Sequence, residues 1–313
     1  FEWLGGRRYL AQTAYALPKD PQEVQRLDFQ HFMVRQELHG NYLAPLDQPK
    51  SILDVGCGTG RWAMEMAAEF PGAKVVGMDL ILPDSSASLG HGLARQPDNV
   101  TFLEGDILKG LPFADASFDF VYIRLLFTAV PERAWPGLLD ELIRVTRPQG
   151  WIESTESWVN LSKTFPAGYT FAKWVNELLR RRELDPLIAR QMPEMMRSRG
   201  LEQIVTRELA HTPPESQRWK QVYNTIGLAA LESLRTPIIS QGIVTAEQYD
   251  QVASEAKQKI QGGSILMWPA YITYGQRPTH LPSNPTSPRI SLMEKYERLF
   301  AHFDPDTGMT DEQ

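Results

Sequence analysis

A doubly wound α/β sheet with helices on both faces is the fold class this sequence predicts, and three observations carry it. A strand, a glycine loop, a helix and a second strand follow one another from Ser51 to Leu80, SILDVGCGTGRWAMEMAAEFPGAKVVGMDL. Strands and helices keep alternating as far as Ser157, the rhythm of a parallel sheet with crossover helices. The 313 residues are 42% hydrophobic and 22% charged, ordinary for a globular chain with a sizeable core.

Ahead of that unit, Phe1 to Pro45 contains no convincing strand. A helix is expected from about Pro21 to His39, with Asp20 as N-cap, proline at the first helical position and Gly40 as the stop. Val24, Leu27, Phe29, Phe32, Val34 and Leu38 give it an apolar side. Because it precedes the first strand, it packs outside the βαβ unit, either across the mouth of a site or on the sheet. Within the unit, Ile52, Leu53 and Val55 suit a strand buried on both faces. Trp62, Ala63, Met66, Ala67 and Phe70 recur at helical spacing, Pro71-Gly72 stops that helix, and KVVGMD ends the second strand in a carboxylate.

The stretch from Ile81 to Asn99 is small and polar, with at most a short helix. Val100 to Leu103 makes a third strand, FDFVYIR a fourth, and Pro136 to Val145 a helix that RPQG ends before a fifth strand at Trp151 to Ser157. Phe165 to Arg199 reads as mainly helical, LEQIVTREL as a sixth strand, and Thr212 to Gly263 as a helical insertion ahead of a seventh strand in SILMWPAYITYGQ. PTHLPSNPTSP reads as a linker, and Leu292, Met293, Tyr296, Leu299, Phe300 and Phe303 mark an amphipathic tail helix. The expected organisation is a helical cap segment at 1–45, a core at 46–211, a helical lid at 212–263, the last core strand at 264–277, and a linker with tail at 278–313.

A formal charge of −6 and a pI of about 5.6 argue against nucleic-acid binding, which favours basic patches. With Cys57 as the single cysteine, no intrachain disulfide or cysteine-rich metal site can form, which suits a reducing, cytoplasmic setting. No apolar run approaches the roughly 18 residues of a membrane span. The chain begins at Phe1 without a methionine, which leaves room for an upstream segment. No Gly-Lys-Ser/Thr follows the glycines, so the loop does not read as a triphosphate cradle.

Which nucleoside the glycine loop serves turns on its spacing, because nicotinamide dehydrogenases carry a glycine triplet too. Here Asp54 sits inside the first strand, two residues before Gly56, and the glycines run G-x-G-x-G through Gly58 and Gly60. Gly105-Asp106-Ile107 then follows the third strand. This combination resembles the class I S-adenosylmethionine (SAM) methyltransferases. The fragments RLDFQH, FDFVYIRLLF, ELIRVTRPQGWIES and MWPAYITYGQRP resemble the branch of LaeA-like and bacterial small-molecule methyltransferases. The likeness covers roughly Arg8 to Pro278 and is best from Ser51 to Ser157. Many relatives carry a histidine ahead of the fourth-strand arginine; Ile123 occupies that place before Arg124, so any such histidine role is absent.

The resemblance implies a Rossmann-like sheet of seven strands with the last antiparallel, plus a helical lid, and SAM as cofactor, leaving as S-adenosylhomocysteine. Gly56, Gly58 and Gly60 would let the backbone approach the methionine portion, with Asp54 orienting the loop or holding the amino group. Cys57 would sit in the loop as a packing residue. Asp79 would take the ribose diol, Leu80 the adenine face, and Asp106 with the Ile107 N–H the adenine edge. Arg124 would meet the cofactor carboxylate or order the N-terminal helix. Candidate bases for a protic acceptor are His31, His39 and Glu156; the two histidines lie eight residues apart, two helical turns. Glu153 and Glu156 differ in parity and should point to opposite faces of their strand. Tyr15, Trp158, Trp268 and Tyr271 are candidates for an acceptor pocket, and Asp84 with Asp106 makes no metal constellation. The expected partner is a small, largely apolar or aromatic molecule methylated on oxygen, nitrogen or carbon, in secondary metabolism. The alternative is a LaeA-like regulator that keeps the cofactor fold and binds partners, or a second copy, through the lid or tail helix.

Overall fold

The computed structural model describes residues 1–11, 13–82, 96–158, 165–209, 217–264, 266 and 269–281. Its centre is a seven-stranded sheet. The strands are β3 (Ser51–Val55), β4 (Lys74–Asp79), β5 (Val100–Glu104), β6 (Phe118–Arg124), β7 (Thr146–Ser157), β8 (Glu202–Leu209) and β9 (Ala270–Gln276). They lie in the order β5-β4-β3-β6-β7-β9-β8. The first five pair in parallel, and β9 runs antiparallel to both β7 and β8. All five residues of β3 are buried, as expected of a strand covered on both faces. Strand order reverses beside β3, and the crevice at the carboxyl ends of such strands is where α/β sheets take their ligands.

Helices α1 (Pro21–Leu38), α2 (Arg61–Glu69), α3 (Trp135–Val145), α4 (Pro166–Arg181), α5 (Ile188–Arg197), α6 (Gln217–Ser240) and α7 (Ala246–Gln261) surround the sheet. Side-chain alternation divides its core. Leu53, Val55, Val121, Ile123 and Ile152 point to the face packed with α3 and α4. Ile52, Val75, Phe120, Tyr122 and Trp151 point to the face that α2 covers. There Trp62 stacks flat on Tyr122, with ring centroids 4.0 Å apart. In α1, Asp20 accepts the Glu23 N–H at 3.0 Å and Pro21 opens the helix, as its capping sequence predicts.

Four features differ from the sequence reading. The N-terminus holds a small hairpin, β1 (Glu2–Leu4) and β2 (Arg7–Tyr9), turned at Gly5 and Gly6, which both have positive φ. Its three-residue strands are too short to show a period. β7 begins at Thr146, so the RPQG segment is already strand, bent where Gln149 takes φ 66°. Phe165 to Arg199 is broken into α4 and α5 by a turn at 182–187. Finally, α1 buries a polar side, with Glu23, Arg26, Asp28 and His31 inside while Phe29 is exposed. The described part of the insertion forms α6 and α7, the latter opened by a Thr245–Gln248 capping box. The tail helix expected at Leu292 to Phe303 lies outside the described residues. Among the described residues no helix is long and apolar enough to cross a membrane, and no cluster of His, Cys, Asp and Glu could hold a metal.

Candidate functional site

The loop from β3 to α2 takes its shape from three left-handed glycines, Gly56 at φ 75°, Gly58 at 57° and Gly60 at 71°. The Gly56 and Cys57 N–H groups donate to the Met78 carbonyl at 2.7 and 3.0 Å, tying the loop to the next strand. Gly58 N–H donates to Asp79 Oδ2 at 2.8 Å. A side chain on Gly56 would lie 2.5 Å from Leu126, whereas nothing stands within 4 Å of the equivalent point on Gly58. Gly56 is thus required by packing, and Gly58 faces open space. Cys57 is buried beside them, and burial pushes its thiol pKa well up, which fits a packing residue.

Beneath the loop, Asp54 is buried, and its Oδ2 has no hydrogen-bond partner. Burial pushes its pKa up to about 7, with Arg124 opposing and Asp79 adding to the shift. Arg124 ends β6, and its Nη1 lies 3.0 Å from His31 Nδ1. A guanidinium only donates, so Nδ1 accepts and the imidazole proton sits on Nε2, 3.1 Å from Glu65 Oε2. Burial holds His31 down at about 4, so the ring is neutral. Glu65 stays ionised near 2 despite its burial, because His31, Arg35 and Arg61 surround it. Asp28 accepts the Thr59 hydroxyl at 2.9 Å, a second tie between α1 and the glycine loop.

The loop opens into a cavity of about 1010 Å³ at the carboxyl ends of β3, β4, β5 and β6. Gly56, Cys57, Gly58, Asp79, Leu80, Asp106, Ile107 and Arg124 all line it, so the structure gathers these residues from four separate strand ends. Asp79 Oδ1 receives only long contacts, from Lys19 Nζ at 3.4 Å and the Ile81 N–H at 3.3 Å. Asp106 caps the short turn Ile107–Lys109, accepting the Leu108 N–H at 3.0 Å. The roof comes from residues 9–11, 13–17 and Lys19, from Arg26, Leu27 and Gln30 of α1, and from one side each of α4 and α6. Tyr15 belongs to that roof, 5.6 Å beneath the Lys19 ammonium, and burial pushes its phenol pKa up.

Other sequence candidates fall elsewhere. His39 leaves the helix as an exposed left-handed C-cap at φ 56°, so it does not share the face of His31. Glu156 is fully buried behind the cavity wall, accepting the N–H groups of Leu126 and Phe127 at 3.0 Å each. Glu153 points to the opposite face and accepts from Leu43 and Ala44, as strand parity predicts. Trp158 and Tyr271 sit together with ring centroids 6.4 Å apart, but Trp158 packs under Arg190 and Tyr271 donates to Glu208, outside the cavity lining. Trp268 and Asp84 lie outside the described residues. Sequence reasoning missed Lys19, Arg26 and Arg182 in the lining. Nothing local in PKDP, RLDFQH or RRREL marks them as cavity residues, because the cavity forms from chain segments distant in sequence.

Residues 52–150 match the family model of the methyltransferase domain. They run from β3 into β7 and hold the glycine loop, Asp79, Asp106 and Arg124. Over those residues the chain is similar to methyltransferase domains. Methyltransferase str3 of Strobilurus tenacellus is 36% identical over 144 residues, 45% of this chain and 48% of that protein. Methyltransferase pytC of Aspergillus terreus is 32% identical over 219 residues, 65% of this chain and 63% of its own. The secondary metabolism regulator laeA of Aspergillus flavus is 33% identical over 156 residues, covering 48% and 40%. The chain spans about half the length of the first of these relatives. The matched segment therefore accounts for the cavity floor, while the roof residues between Tyr9 and Gln30, and those of α4 and α6, lie outside it.

Proposed function

We propose that the chain is a SAM-dependent methyltransferase acting on oxygen, nitrogen or carbon of a small, largely apolar or aromatic acceptor in secondary metabolism. The observation that carries this reading is the unpartnered Oδ2 of buried Asp54. A buried carboxylate without a donor is costly, and the ammonium of an amino-acid ligand would supply that donor. The open space at Gly58 admits the same end of the ligand against bare backbone. Arg124, two residues before the loop's packing partner Leu126, would take the carboxylate. Asp79 can exchange its long contacts for a ribose diol, Leu80 offers a half-exposed apolar face to adenine, and Asp106 with Ile107 lies at the purine edge. The residues present fit the cofactor.

When bound, SAM supplies a methyl group on a sulfonium, whose leaving group departs without protonation. Positioning by the chain can therefore supply much of the acceleration, by in-line approach within a roofed cavity. We give His31 and Glu156 positioning roles. The neutral His31 ring accepts from Arg124 and aims it, and Glu156 fixes the Leu126–Phe127 turn that packs on Gly56. Tyr15 lines the acceptor side with a phenol that burial keeps protonated, suited to donating rather than accepting a proton.

Titration calorimetry with S-adenosylhomocysteine tests the reading. Asp79→Ala should weaken binding at least about tenfold, the scale of hydrogen bonds to a charged acceptor, while thermal unfolding stays cooperative. Folded wild-type protein that binds no S-adenosylhomocysteine would sink the proposal, and unchanged affinity in the variant would remove Asp79 from the site. The likeness to laeA favours a second reading, a regulator that keeps the cofactor fold and acts through a partner. Turnover of a physiological acceptor counts against it; a stable hetero-complex without turnover counts for it.

A further inference from the structure

We infer that the acceptor carries a carboxylate, and that Arg182 anchors it. This rests on the SAM reading and concerns the acceptor half of the same cavity. Most cations of the lining already meet a carboxylate: Lys19 meets Asp79, Arg26 meets Glu23, and Lys109 meets Asp106. Arg133 pairs with Glu183, and Arg181 with Glu177. Two lining cations have no ion pair among the described residues, Arg124 and Arg182. Arg124 stands over the glycine loop, where the proposed cofactor brings its own carboxylate. That leaves Arg182.

Arg182 follows the last residue of α4 and donates from Nη1 to the Tyr15 carbonyl at 2.9 Å, which fixes the plane of the guanidinium. Its Nε is buried without a hydrogen-bond partner. Burial lowers its pKa, with the exposed Glu2 and the buried Tyr9 as the opposing influences, and no carboxylate forms an ion pair with it among the described residues. The Nε–Nη2 edge of a guanidinium is a planar two-donor fork that matches the two oxygens of a carboxylate. A side chain held at one corner, with that edge unused, is a recognition element lacking its ligand.

The surroundings define the rest of the molecule. Phe171, Val175 and Leu179 recur every four residues along α4 and lead to Arg182. Ile226, Ala230 and Leu234 do the same on α6, so two apolar stripes line the cavity ahead of one cation. An acceptor with an apolar or aromatic body and an acidic end satisfies both. Burying an unpaired guanidinium is tolerable in a cavity that fills with an anion and costly in one that fills with a neutral hydrocarbon.

The test uses the full chain loaded with S-adenosylhomocysteine, and three matched probe sets: 1-naphthoate, cinnamate and decanoate; their primary amides; and 1-naphthyl phosphate. Binding is measured by calorimetry for wild type, Arg182→Gln and Arg182→Lys. The acids should bind wild type about tenfold or more tighter than the amides, as removal of a charge-assisted pair implies. Arg182→Gln should erase that preference, Arg182→Lys should keep part of it, and S-adenosylhomocysteine affinity should be unchanged in both. Equal binding of acids and amides, an acid preference that survives Arg182→Gln, or failure of every acid to bind would overturn the inference. Tighter binding of the naphthyl phosphate than of naphthoate would overturn the carboxylate assignment. If S-adenosylhomocysteine itself does not bind, the cofactor reading has failed instead. Because that affinity is read separately for each variant, a misfolded variant is recognised by its loss.

Discussion

Two glycines in one loop should separate folding from ligand binding. Gly58→Ala forces a side chain into the left-handed region at φ 57°, which costs roughly 1–2 kcal/mol, and its methyl meets no neighbour within 4 Å. Gly56→Ala carries the same backbone cost at φ 75° and adds a methyl 2.5 Å from Leu126 Cδ2, far inside contact distance. Leu126 cannot retreat freely, because Glu156 holds its N–H and the side chain is buried. Overpacking of this kind adds roughly 1–3 kcal/mol, so Gly56→Ala should lose about 2–5 kcal/mol in all. Urea denaturation reads the first quantity and S-adenosylhomocysteine titration the second. Gly58→Ala should fold with modest loss and bind the ligand far more weakly, because its methyl occupies the space left for that ligand. Undiminished affinity in Gly58→Ala would mean that no ligand approaches the loop there. Equal destabilisation by the two variants would refute the packing argument for Gly56.

The pH dependence of stability should carry the mark of Glu156, which burial pushes up to about 8. Its folded state keeps a proton that the unfolded chain releases above the ordinary carboxylate range, so stability falls as pH rises towards 8, by at most about 1.4 kcal/mol per unit from this group. Glu156→Gln should flatten that slope between pH 5 and 8 in thermal denaturation; an unchanged slope would place the titration elsewhere, with Glu153 and Asp54 as the other buried carboxyls raised to about 7. Asn99 donates its amide to the carbonyls of Ala67, Phe70 and Ala73 at 3.0, 3.1 and 2.8 Å, so Asn99→Ala should cost about 1–3 kcal/mol in urea unfolding without altering S-adenosylhomocysteine affinity.

The sheet strands were legible because most are short apolar runs between turn signals, and in β3, β4 and β6 burial on both faces removes the need for alternation. The grouping of the glycine loop, Asp79 and Asp106 at one end of the sheet was legible for a related reason. Asp54, the glycines, Asp79 and Asp106 sit at fixed offsets from strand ends, so local pattern places them. The roof obeys no such rule. The apolar pattern of α1 places Val34 and Leu38 in the core, as observed, but also points to Phe29, which is exposed while Glu23, Arg26, Asp28 and His31 are buried. Glu23 and Arg26 pair with each other, but the partners Ser233 for Glu23, Thr59 for Asp28, and Arg124 with Glu65 for His31 are remote in sequence. Hydropathy cannot anticipate a polar side buried by partners that only the fold supplies. Trp158 and Tyr271, expected in an acceptor pocket, lie instead on the side of Arg190 and Glu208, outside the cavity lining.

That polar side of α1 changes how the cavity should be understood. A roof held by apolar packing alone could slide or be exchanged with little effect on the floor. Here the roof helix reaches the floor through directional contacts, His31 to Arg124 and Asp28 to Thr59, at the two places flanking the glycine loop. The neutral state of His31 is necessary to this: a proton on Nδ1 would face a guanidinium with no lone pair to accept it. Glu65 stands 3.1 Å from Nε2, ionised and surrounded by Arg35 and Arg61, and its charge favours the proton on that nitrogen. The aim of Arg124 is therefore set by α2 through α1, and Tyr15 and Arg182 are set by the same N-terminal segment from the other side. In the proposed reading, recognition of the cofactor and of the acceptor would share one piece of chain. For that reason the region with the weakest motif signal is the one on which both halves of the site depend.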